Sequence, residues 1–84
     1  MRFEYDREVN ALYIYVREIP DGGAVARQLE LQEGVYLDAD QEGRIFGIEF
    51  LDLENFREWL ERGGGRVEVP EHIKDLKAPG LTPA

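Results

Sequence analysis

The sequence predicts an α+β domain: an antiparallel meander of about five strands with one main amphipathic helix packed on one face. Three observations predict it. Five short segments of alternating or continuous apolar residues are separated by turn formers. The hydrophobic period changes from 2 to 3.6 after Phe50. The chain is 84 residues long, with no cysteine and no apolar run near the roughly 18 residues a membrane span needs.

Phe3-Glu4-Tyr5 alternates and is closed by Asp6, so it reads as a short strand. Arg7 to Asn10 is a polar turn. Ala11 to Val16 is an unbroken apolar run rich in β-branched and aromatic residues, the pattern of a strand buried on both faces. Leu12, Ile14 and Val16 point one way, Tyr13 and Tyr15 the other. Pro20-Asp21-Gly22-Gly23 ends it with turn chemistry. Val25, Arg27, Leu29 and Leu31 alternate with Ala26, Gln28 and Glu30 as a half-buried third strand. After Glu33-Gly34, Val35, Leu37 and Ala39 alternate with Tyr36, Asp38 and Asp40. Gln41-Glu42-Gly43 forms a hairpin loop, and Arg44 to Phe50 returns. On that returning strand Phe46, Ile48 and Phe50 share one face, and Ile45, Gly47 and Glu49 the other.

The helix follows. Asp52 is a good N-cap, Glu54 suits the positive end, Leu51 and Phe56 form a hydrophobic staple, and Gly63 is a C-cap. Leu53, Phe56 and Leu60 form its apolar stripe, widened by Trp59. Gly63 to Gly65 make a joint, Arg66 to Val69 a possible last strand, and EHIKDLK after Pro70 one or two helical turns. This divides the chain into a single α+β domain over 1–69 and a C-terminal segment with a frayed tail over 70–84.

Eighteen acidic residues oppose ten basic ones, eight of them Arg, for a net charge of −8. Such a field disfavours direct nucleic-acid binding and favours a basic partner. The start, MRFEYDREV, lacks the apolar core of a signal peptide, so a cytoplasmic location is expected, with no membrane association. So short a chain has a marginal core, and a homodimer is expected.

The chain has no Ser and no Cys, its one Thr is Thr82, and its one His is His72, so triad chemistry and multi-histidine metal sites are excluded. The glycines match no phosphate-binding loop. An enzyme is not expected, nor a cofactor. His72 reads as a surface residue of the terminal segment.

Two sets of residues stand out. Tyr13, Tyr15 and Tyr36 are expected on the sheet face away from the helix, as an interface for self-association or for a partner. Trp59 is either part of the core or, if the helix swings on its glycine joint, an anchor for a partner within a rim of Glu54, Glu58 and Glu61. The second set is Asp38, Asp40, Glu42 and Glu49. Counted from Asp38 they fall at positions 1, 3, 5 and 12 of a calcium loop, with Gly43 at position 6. No helix precedes the loop and Gly47 stands where one should follow, so an ordinary acidic hairpin is preferred. The alternative is a divalent-metal protein using Asp38, Asp40 and Glu49, with or without hydrolysis.

Tyr5-Asp6, Ala11-Leu12-Tyr13-Ile14, Gly34-Val35 with Asp38 and Asp40, and Gly43-Arg44-Ile45-Phe46-Gly47-Ile48-Glu49 carry a resemblance over about residues 2–53. The chain resembles a small bacterial family catalogued as a domain of unknown function, number two-two-eight-three. Asn10 departs from the family's usual acidic residue. The resemblance implies a compact β-rich fold without assigned catalytic residues. It also implies a setting beside small toxin-like proteins, which suggests an antitoxin-like, non-enzymatic module binding a basic toxin-like ribonuclease.

Overall fold

A computed structural model describes residues 1–18 and 27–76. Its elements are β1 (Arg2–Asp6), β2 (Ala11–Tyr15), β3 (Arg27–Gln32), β4 (Val35–Ala39), β5 (Ile45–Phe50), α1 (Leu53–Arg62) and a 3-10 turn (Ile73–Asp75). The fold class is α+β: one five-stranded antiparallel sheet with a helix against it. The sheet order is β1-β2-β5-β4-β3, so the last strand lies at the centre. A simple meander would place β3 beside β2. Instead the β1–β2 hairpin and the β3–β4–β5 run meet through β2–β5 pairing, which buries the most apolar strands, β2, β4 and β5, in the middle. The expected turn at Pro20–Gly23, and Val25 of the third strand, lie outside the described residues, as does the tail beyond Leu76.

Cross-strand register determines which side chains share a face. Phe3, Ile14 and Ile48 lie abreast, as do Tyr5, Leu12 and Phe50, and β4 adds Leu37 beside Ile48 and Val35 beside Phe50. This face holds the core, in which Ile14, Val35, Leu37, Ala39, Ile48 and Phe50 are fully enclosed. Ile45 also enters it. That corrects the alternation expected for β5. A register shift sets Ala39 opposite Ile45 after Asp38 opposite Gly47, so Phe46 is an extra residue on the bulged strand.

The helix covers this face as its sequence requires. Asp52 caps it, its carboxylate accepting from the Glu54 amide at 2.7 Å. The Gly63 amide closes the other end on Trp59 and Glu61 carbonyls. Arg57 lies between Glu54 and Glu61 on the outer side. Phe56 and Trp59 meet Phe50, with ring centroids 5.1 and 5.2 Å away. Trp59 therefore packs on its own sheet.

Arg66 to Val69 pairs with no strand among the described residues; its Val67 and Val69 pack sideways on the core. The sheet contact comes further on. The Ile45 amide donates to the Glu71 carbonyl and the Ile73 amide to that of Gly43, both at 2.9 Å. His72 is half-buried and acts as a clamp: its Nε2 lies 2.7 Å from the Glu42 carbonyl, and its Nδ1 accepts from the Lys74 amide at 3.0 Å. Among the described residues no helix is long and apolar enough to cross a membrane.

Candidate functional site

Alternation sends the other half of each strand to the face opposite the helix. Two rows of residues cross it. One runs Glu4, Tyr13, Glu49, Tyr36, Glu30; the other runs Arg2, Tyr15, Gly47, Asp38, Gln28. The tyrosines expected on this face are all there, half-buried, and no described element lies over them.

Gly47 is the low point of the face. Without a side chain between its neighbours, the Tyr13 ring leans across the β5 backbone and its hydroxyl donates to Asp38 Oδ2 at 2.6 Å. A Cβ on Gly47 would overlap that ring and hydroxyl. The other Asp38 oxygen accepts from Gln28 Nε2 at 3.0 Å, so this buried carboxylate, 6% exposed, has a partner on each oxygen. Burial, and then the hydrogen bond to Asp38, push the Tyr13 hydroxyl far above its ordinary value, so it is a fixed donor rather than a base or nucleophile at neutral pH. The negative charge of Glu30 raises that of Tyr36, whose hydroxyl lies 3.3 Å from the Glu30 carboxylate.

Tyr15 packs on Tyr13 with centroids 4.4 Å apart, and its other neighbour is a cation: Arg2 Cζ lies 4.1 Å from the Tyr15 ring centroid. Glu4, Glu30, Asp38 and Glu49 oppose Arg2 alone among the charged residues of the two rows. The surface is both aromatic and acidic.

The proposed metal ligands do not converge. Asp38 and Glu49 are on the tyrosine face, one sealed by Tyr13 and Gln28. Asp40 folds the hairpin turn: Oδ1 accepts from the Glu42 and Arg44 amides at 2.9 Å, and Oδ2 from Arg44 Nε at 3.0 Å. Those bonds, the Arg44 amide first, hold its carboxyl below the usual range. Glu42 pairs with Arg44 in solvent. Among the described residues no group of three or more His, Cys, Asp or Glu is placed to hold a metal. Trp59 lies in the helix layer, on the other side of the sheet from the three tyrosines.

Sequence reading missed Gly47, Gln28 and Arg2. A lone glycine inside a strand pattern was the available signal for Gly47, because it marks a close approach by another group. Gln28 and Arg2 carried none, since their roles depend on which strands become neighbours.

No curated protein and no solved structure matches the chain significantly. Residues 2–53, covering all five strands and the start of the helix, match the family described as protein of unknown function (DUF2283), and the chain belongs to that family.

Proposed function

We propose that the protein is a non-enzymatic interaction module whose tyrosine and carboxylate face takes an arginine- or lysine-rich segment of a basic protein. The observation that carries this reading is Arg2. The chain's own guanidinium already rests on Tyr15, in the relation a partner's arginine would adopt on the same face. Glu4, Glu30 and Glu49 supply the opposing charge, and the net charge of −8 extends attraction beyond contact. A second copy presenting the same face would meet like charge, so a basic partner suits it better. The family resemblance supplies one such partner class, a small toxin-like ribonuclease, which makes the module antitoxin-like.

Titration calorimetry with an arginine-rich peptide tests the reading. Binding is expected in low salt, with affinity falling as salt rises, and with a loss of about tenfold or more in the double variant Glu30→Gln, Glu49→Gln. Equal affinity in the double variant contradicts it.

A further inference from the structure

We propose that the outer edge of β1 pairs antiparallel with β1 of a second copy, joining two five-stranded sheets into one of ten. Every residue of β1 is exposed. Phe3 and Tyr5 stand on the core side, abreast of Ile14 and Leu12, yet remain 52% and 48% exposed because α1 packs on β2 and β5. Edge strands are ordinarily blunted by proline, by charged side chains, lysine above all, or by a bulge, and the charges of β1, Arg2, Glu4 and Asp6, are of both signs. The other edge strand, β3, has an irregularity between Glu30 and Gln32. The five residue pairs of β1 with β2 run unbroken, and β1 contains neither proline nor lysine. Among the described residues no strand occupies its outer side.

The sequence of β1, Arg-Phe-Glu-Tyr-Asp, is complementary to its own reverse. With a two-fold axis at Glu4, Arg2 faces the Asp6 of the second copy and Phe3 faces its Tyr5, each pair occurring twice. The ion pairs fall on the tyrosine face and the aromatic pairs on the core side, where they extend the apolar layer past the helix. Only Glu4 meets its own copy. Such an isologous contact closes at two subunits.

Because the chain has no cysteine, the axis can be read directly. Residues facing each other in an antiparallel pair have Cα atoms about 4.5–5.5 Å apart, inside disulfide range. Glu4→Cys is expected to give a covalent dimer on mild oxidation, and Gln28→Cys, on the β3 edge, is expected to stay unlinked. Sedimentation equilibrium is expected to show a wild-type dimer and a folded Phe3→Glu monomer, with folding read by circular dichroism. A wild-type monomer at every concentration tested overturns the proposal. So does a Phe3→Glu dimer as tight as wild type, or linking of Gln28→Cys as ready as that of Glu4→Cys. These outcomes are independent of whether the tyrosine face binds a basic peptide.

Discussion

The Tyr13 hydroxyl reaches Asp38 at 2.6 Å across the bare backbone of Gly47, joining β2 to β4 over the strand between them. This contact fixes the shape of the tyrosine face and satisfies one side of a buried carboxylate. Three residues far apart in the chain therefore act as one unit, and their substitutions should not be additive.

Tyr13→Phe leaves Asp38 with Gln28 alone and is expected to cost about 1–3 kcal/mol. Gly47→Ala displaces the whole ring and is expected to cost at least as much, on the order of 2–4 kcal/mol, from overpacking and the lost bond together. In the double variant the displaced ring no longer carries the bond, so the combined loss should fall short of the sum by about 1 kcal/mol. Urea unfolding of the three variants measures this.

The alkaline limb of stability follows from the same contact. The Tyr13 and Tyr36 hydroxyls ionise less readily in the folded chain than at their ordinary value of 10.0. The unfolded chain then loses those protons first. Their contribution is complete below about pH 10 and is lost as pH rises from there toward the folded values. Thermal unfolding from pH 8 to 11 is expected to show a steeper decline for wild type than for Tyr13→Phe.

The acid limb involves a different residue. Asp40 has its carboxyl held down, chiefly by the Arg44 amide, so its contribution is present above the ordinary carboxyl value of 3.8 and is lost as pH falls through the lower folded value. Asp40→Asn is expected to flatten the stability profile below about pH 4, measured by unfolding at fixed ionic strength.

Gly43 should decide whether the C-terminal segment stays attached. Its φ of +82° is left-handed, and a Cβ there would lie 2.7 Å from His72 Cε1. Gly43→Ala is expected to destabilise by about 1–2 kcal/mol. It should also speed hydrogen exchange at the Ile45 and Ile73 amides, which bond across this junction, while the amides within α1 keep their protection.

The sequence was most readable where the physics is local. Asp52 and Gly63 bracket α1 because capping depends on residues within one turn. Tyr13, Tyr15 and Tyr36 fall to one face by alternation within each strand, which needs no knowledge of its neighbours. Strand order was not readable in this way. Nothing local to Ile45–Phe50 says that it pairs with β2, and that pairing alone sets Gly47 beneath Tyr13. The bulge that turns Ile45 inward arises from register with β4, so alternation placed it on the wrong face. The acidic hairpin, preferred over a calcium loop because no helix flanks it, shows how little spacing alone decides. Asp38, Asp40, Glu42 and Glu49 have the spacing of a calcium loop, but in an extended strand such spacing scatters the carboxylates. The clamp made by His72 is hidden for the same reason as strand order, because its partner Glu42 is 30 residues away.

The tyrosine face is the central claim, and amide chemical-shift mapping during titration with an arginine-rich peptide tests it most directly. The account predicts shifts concentrated at Tyr13, Tyr15, Tyr36, Asp38 and Glu49, with the amides of α1 unmoved. Shifts confined to α1 around Glu54, Glu58 and Glu61, or no shifts at low salt, would contradict it.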